Sequence, residues 1–199
     1  MAEPRRVIVG ISGSTGAIYG IRLLERLREL PGIESHLVVS AAGKRTLSEE
    51  TDFTLRQVEM LADVVHDDRD VGASIASGSF HTHGMAIAPC SMKTVSALAN
   101  SYADTLIARA GDVCLKEGRV LVALVRETPL HLGHLRQMTA LAEIGGVILP
   151  PVPAFYFRPK TLDDVIDHTV ARVLDRMGIV QGLIPEWPGT GRKGRARRG

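Results

Sequence analysis

Residues 5–11, Arg-Arg-Val-Ile-Val-Gly-Ile, form a short β-branched apolar run, and a glycine cluster separates it from Ala17, Ile18, Ile21, Leu23, Leu24 and Leu27 at helical spacing. The pattern predicts strand, glycine turn, helix. It recurs along the chain: a strand over 35–39 leads to a helix over 41–50 and a short helix over 54–62, and a strand over 85–89 enters a helix over 91–100. A helix over 103–117 leads to a strand over 120–125, a helix over 131–144 to a strand over 147–150, and a helix over 161–177 closes the series. Apolar strands without a polar face, alternating with helices, predict a parallel sheet covered on both sides. The expected fold is α/β: a three-layer, Rossmann-like (flavodoxin-like), doubly wound sheet in one domain over 5–180, with 185–199 a basic, disordered tail.

Ligands of such sheets sit beyond the carboxyl ends of the strands. That edge collects Ser12 to Gly16, Ser40, Cys90 to Thr94, and Arg126 with Glu127. The turn Gly10-Ile11-Ser12-Gly13-Ser14-Thr15-Gly16 is spaced G-x-x-G-x-x-G rather than G-x-G-x-x-G, and the second strand ends in Ser40 where a dinucleotide site carries an acid. A mononucleotide fits this better, its phosphate drawn to free N–H groups at the helix start. The plainer alternative is a strand-to-helix turn capped by Ser14 or Thr15. Pro89-Cys90-Ser91-Met92-Lys93-Thr94 repeats the arrangement after a second strand. With Arg126 at the end of another strand, the edge offers two helix N-termini and a guanidinium, enough for one phosphate and a polar ring. Cys90 has no identifiable base partner and reads as a buried structural thiol.

Three other patterns resolve to structure. Asp163-Asp164-Val165-Ile166-Asp167 matches the D-D-x-x-D diphosphate motif, but it follows Thr161, and Asp164 stands three residues later as in a capping box. His81-x-His83 and His131-x-x-His134 lack a third ligand at a recognisable spacing, which predicts a metal-independent site.

Composition narrows the function classes. The chain has 199 residues, 45% apolar and 23% charged, enough for one ordinary core. No apolar stretch approaches a membrane span, and Met-Ala-Glu-Pro-Arg-Arg has no signal-peptide layout. Two cysteines suit a reducing compartment, so a cytoplasmic protein is expected. The net charge of +2 is lopsided: Arg192, Lys193, Arg195, Arg197 and Arg198 lie in the last eleven positions, leaving 19 basic and 22 acidic residues over 1–188. An acidic body argues against nucleic-acid binding.

The segments G-I-S-G-S-T-G-A-I-Y-G (10–20), E-E-T-D-F (49–53), A-S-I-A-S-G-S-F (73–80), P-C-S-M-K-T (89–94), D-V-C-L-K-E (112–117), V-R-E-T-P-L (125–130) and P-P-V-P-A-F-Y-F-R-P (150–159) closely resemble the UbiX-type flavin prenyltransferases, long described as aromatic-acid decarboxylases. The resemblance runs in order through 5–180. It implies a homo-oligomer, typically a dodecamer, binding FMN between subunits. It implies transfer of a dimethylallyl group from dimethylallyl monophosphate to N5 and C6 of reduced FMN, the prenylated FMN then serving a separate decarboxylase of aromatic or unsaturated acids. FMN contacts correspond to Gly13, Ser14, Thr15, Ser40, Ser91, Met92, Lys93, Thr94 and Arg126. Contacts to the dimethylallyl phosphate correspond to Lys116, Arg126, Glu127, Tyr156 and Arg172, with Arg109 a further basic residue and Glu50 beside the reacting flavin edge. Of these, Glu50, Lys116 and Glu127 are the expected catalytic groups. The proton lost from C6 goes to Glu50 or to the departed phosphate. Two positions depart from the family: Thr15 stands where a serine is common, and Val71 where some members carry tryptophan. Two other readings are an FMN-dependent cysteine-type decarboxylase of the same fold, which carries P-x-M-N where this chain has Pro89-Cys90-Ser91-Met92, and a non-catalytic flavin-binding subunit.

Overall fold

The structure, a computed structural model, describes residues 3–184, so the basic tail lies outside the described residues. Six strands pair in parallel: β1 (Arg5–Ile11), β2 (Ile33–Val39), β3 (Val64–Asp67), β4 (Gly84–Cys90), β5 (Val120–Val125) and β6 (Val147–Ile148). Their spatial order is β3-β2-β1-β4-β5-β6, the doubly wound Rossmann order. The helices are α1 (Ala17–Glu29), α2 (Ala41–Glu50), α3 (Leu55–Glu59), α4 (Met92–Ala99), α5 (Leu106–Lys116), α6 (Leu132–Glu143) and α7 (Leu162–Arg176), with a 3-10 turn at Ser74–Ala76. Among the described residues no helix is long and apolar enough to cross a membrane.

Strand alternation builds the two sides of the core. Val7, Val9 and Ile11 of β1 pack with Ile21, Leu24 and Leu27 of α1 and with Val170, Val173 and Leu174 of α7. Ile8 points to the other face, among Val95 and Leu98 of α4 and Leu106, Ile107 and Ala110 of α5. A strand buried on both faces needs apolar residues along its buried length, as β1 has from Val7 to Ile11 and β4 from Gly84 to Cys90.

Several boundaries move for local reasons. The helix expected from 103 begins at Leu106, because the Thr105 side chain caps it by accepting from Ala108 N–H at 3.3 Å. The strand expected over 147–150 stops at Ile148, just before Pro150 and Pro151, neither of which has an N–H for a ladder. The short helix is only five residues. Thr161 and Asp164 form the expected capping box of α7. The neighbouring acids are also structural: Arg22 of α1 meets Asp163 at 3.0 Å and Asp167 at 2.7 Å.

The chain diverges between β1 and β4, and the loops leaving these strands lie side by side. The Ser12 hydroxyl, buried at 2% exposure, joins them. It donates to Pro89 O at 2.9 Å and accepts from Ser91 N–H at 2.8 Å, while Ser12 N–H also reaches Pro89 O at 3.2 Å. Helix α1 approaches this junction closely, since a Cβ on Gly20 would stand 2.3 Å from Ala88 O. Ser12→Ala strands a buried donor without its acceptor. The expected cost is about 1–3 kcal/mol of unfolding free energy, measured by urea denaturation; an unchanged midpoint would show that the bridge contributes nothing.

Candidate active site

The glycine turn enters α1 through Gly16, which takes φ +100°, a left-handed conformation suited to glycine. Neither Ser14 nor Thr15 caps the helix. The N–H groups of Gly16 and Ala17 instead donate to Glu50 Oε2 at 2.7 and 3.4 Å. Glu50, the last residue of α2, therefore supplies the negative charge that the α1 N-terminus favours. This corrects the expectation that these N–H groups stand free for a phosphate. The Ser14 hydroxyl is buried and has no hydrogen-bond partner among the described residues. Gly13 lies against α2, where a Cβ would stand 2.4 Å from Ala42 Cβ.

Ser40 and Ser91 act at the other two helix starts. Ser40 caps α2 by accepting from Gly43 N–H at 2.9 Å, and Ser91 caps α4 by accepting from Thr94 N–H at 3.4 Å while its hydroxyl meets Thr94 Oγ1 at 3.1 Å. Met92 packs against the α4–α5 side of the core, and Lys93 is exposed.

A cleft of about 450 Å³ opens beyond the strand ends, bordered by Thr15, Gly16, Tyr19, Glu50, Arg126 and Ile166 among others. Arg126 is placed there by β5, whose pairing with β4 continues through Arg126 N–H to Cys90 O at 3.2 Å. Tyr19 was not anticipated as a site residue. Burial raises its pKa, while the Thr169 side chain beside its phenol and the Arg126 charge act in the opposite sense. The signal in the sequence was a tyrosine within the apolar stripe of α1.

A second cleft of about 400 Å³ runs between the Val147–Val152 segment and α7, lined by His168, Thr169, Arg172 and Arg176. The two clefts are neighbours: Thr169 lines the second and lies beside Tyr19, which lines the first. Tyr156 Oη lies 3.0 Å from His168 Nε2, and Arg172 Nη1 lies 3.1 Å from Asp175 Oδ2. Arg172 is half exposed, neither buried in the apolar face of Val170 and Val173 nor free of an acid.

Lys116 and Arg109 stand apart from both clefts. Helix α5 runs against the strands, so Lys116, its last residue, lies four residues before β5 begins, whereas Arg126 directly follows the end of β5. The strand between them is six residues, roughly 20 Å. Lys116 is paired with Glu117 beside Gly78. Arg109 donates to Ala76 O at 3.1 Å and meets Asp112 at 3.2 Å. Within one chain, then, neither joins Arg126, and the resemblance implies a flavin bound between subunits. Glu127 is exposed, its carboxylate accepting from Thr128 N–H at 3.1 Å.

The remaining candidates have structural places. Burial pushes the Cys90 thiol far up, and the Cys114 thiol up to about 11, so neither is a ready nucleophile. His131 caps α6 through Gly133 N–H at 3.0 Å and stacks on His134 at 3.6 Å. His83 Nε2 lies 2.7 Å from Met177 O.

This arrangement fits FMN. An orphaned buried hydroxyl at Ser14 awaits an acceptor or donor, Arg126 offers a cation, and the cleft lies at the switch point where such sheets bind mononucleotides. The flavoprotein family model matches residues 1–181. The flavin prenyltransferase UbiX of Escherichia coli is 63% identical over 187 residues, covering 93% of this chain and 99% of that protein. A crystal structure of AnUbiX (PadA1) in complex with FMN and dimethylallyl pyrophosphate superposes with a TM-score of 0.92 at 44% identity, covering 95% of this chain and all of that one. A dodecameric FMN-dependent UbiX-like decarboxylase from Escherichia coli gives 0.90 at 49% identity, covering 92% of this chain and 100% of that one. Identity of this extent, over nearly the whole length of both partners, makes the chain a member of the flavoprotein family and, within it, of the UbiX flavin prenyltransferases.

Proposed function

We propose that this chain joins the dimethylallyl group of dimethylallyl monophosphate to N5 and C6 of reduced FMN, making prenylated FMN for a separate decarboxylase of aromatic or unsaturated acids. The observation that carries the reading is the pair of neighbouring clefts. One has Thr15, Glu50 and Arg126 on its lining, next in the chain to the buried Ser14 hydroxyl, and the other has Arg172 and the Tyr156–His168 pair. The flavin when bound supplies the electron-rich ring that accepts the prenyl carbon.

The residues of the chain have separable tasks. Arg126 lines the flavin cleft together with Pro151, and there its charge favours both a flavin and a departing phosphate. Arg172 and Tyr156 hold that phosphate, offsetting the charge that grows on it as the allylic bond breaks. Glu50 has Oε2 engaged by Gly16 and Ala17 N–H, which leaves Oε1 as the oxygen that takes a proton from the flavin edge. Thr15 lines the flavin cleft, so a hydroxyl is retained where the family commonly has serine.

Lys116 and Arg109 reach such a site only from another copy of the chain. Exposed apolar residues support assembly: Leu132 and Leu135 on α6, and Val152, Phe155 and Leu162 near the clefts, are 47–76% exposed. A dodecamer, as in the UbiX-like decarboxylase, would cover them.

Anaerobic incubation of the protein with reduced FMN and dimethylallyl monophosphate, followed by mass analysis of the extracted cofactor, should show FMN enlarged by one prenyl unit. Unmodified FMN, with the protein folded and flavin bound, would refute the reading. Arg126→Ala should weaken FMN binding about tenfold or more by fluorescence titration, the scale of one lost charge-assisted bond. Wild-type affinity in that variant would remove Arg126 from the flavin site.

A further inference from the structure

We propose that His168 is the positioning residue that turns the Tyr156 hydroxyl toward the phosphate of the prenyl donor. The inference rests on the proposed function and adds to it a residue with no role in that scheme. His168 is 8% exposed, on the α7 face that lines the second cleft, one helical turn from Arg172. Its ring is fixed on both sides of the question. Phe157 stacks on it with centroids 4.6 Å apart and planes within 3°, and its Nε2 lies 3.0 Å from Tyr156 Oη.

The direction of that hydrogen bond decides what Tyr156 offers an anion. If Nε2 carries no proton it accepts the phenol O–H, and Tyr156 then presents only lone pairs, which repel phosphate oxygens. If Nε2 carries the proton it donates to Oη, and the phenol O–H is released to donate to phosphate. The second arrangement forms a chain in which Nε2–H polarises Oη and Oη–H becomes the better donor. The imidazole does not need a positive charge for this, since the neutral Nε2–H tautomer suffices. That matters here because burial, and then the nearby Arg172 charge, hold its pKa below the ordinary histidine value. Asp175, which acts in the opposite direction, is already paired with Arg172. His168 thus acts on the phosphate through Tyr156, while Arg172 acts on it directly.

The test uses the FMN-loaded protein with the flavin oxidised, so that binding of dimethylallyl monophosphate is read by calorimetry without turnover. His168→Leu should weaken binding about tenfold, as Tyr156→Phe does, and the double variant should bind no more weakly than Tyr156→Phe alone. His168→Gln, whose amide N–H can stand near the place of Nε2–H, should recover most of the loss. FMN affinity and melting temperature, measured on every variant, report a merely structural effect. Near-wild-type binding by His168→Leu, with Tyr156→Phe impaired, would overturn the proposal, as would losses that add in the double variant. If Tyr156→Phe and Arg172→Ala both bind as wild type does, the phosphate assignment itself fails, and the role of His168 fails with it.

Discussion

A single buried hydroxyl governs how the ends of β1 and β4 meet. Doubly wound sheets create a crevice where consecutive connections leave in opposite directions, but the crevice is only as well defined as the loops that border it. Here Ser12 ties the glycine turn to the Pro89–Ser91 segment through three hydrogen bonds. The starts of α1 and α4 therefore hold a fixed separation, and the close contact of Gly20 with Ala88 O leaves α1 no room to slide. Glu50 then closes the α1 N-terminus from α2, adding a third element to the same junction. A flavin cleft bordered by such parts is pre-organised before any ligand arrives.

From this junction the second cleft follows by packing. Tyr19 reaches from α1 to Thr169 on α7, and α7 is held to α1 by Arg22 with Asp163 and Asp167. The acids that mimic a diphosphate-binding motif thus set the position of the helix that carries His168 and Arg172. Their role in function is indirect, through placement.

Most of the fold was legible because buried parallel strands have a strong signature: Val-Ile-Val in β1 and Leu-Val-Ala-Leu-Val in β5 permit few other readings. Strand β3 escaped because it lies at the sheet edge, where Val64-Val65-His66-Asp67 alternates between half-buried and exposed positions and includes two polar residues. The capping box of Thr161 was readable since it is local. The cap of α1 was not, for Glu50 stands 34 residues from Gly16 and only the tertiary fold brings them together. The same holds for Tyr19 and His168, polar residues within apolar helical stripes whose partners come from other segments. The place of Lys116 was not legible from spacing: the resemblance implies a site between subunits, and the direction of α5 puts this lysine at the opposite edge of its own sheet from Arg126.

On the proposed function, that geometry means that each site is shared between copies of the chain. Subunit mixing tests it directly. Chains carrying Lys116→Ala and chains carrying Arg126→Ala are each expected to be nearly inactive in prenyl transfer, yet oligomers reassembled from an equal mixture contain some sites with Lys116 from one chain and Arg126 from another. Activity recovered on mixing, well above either variant alone, is the predicted result. Mixed oligomers, verified by mass, that remain as inactive as their parents would contradict it.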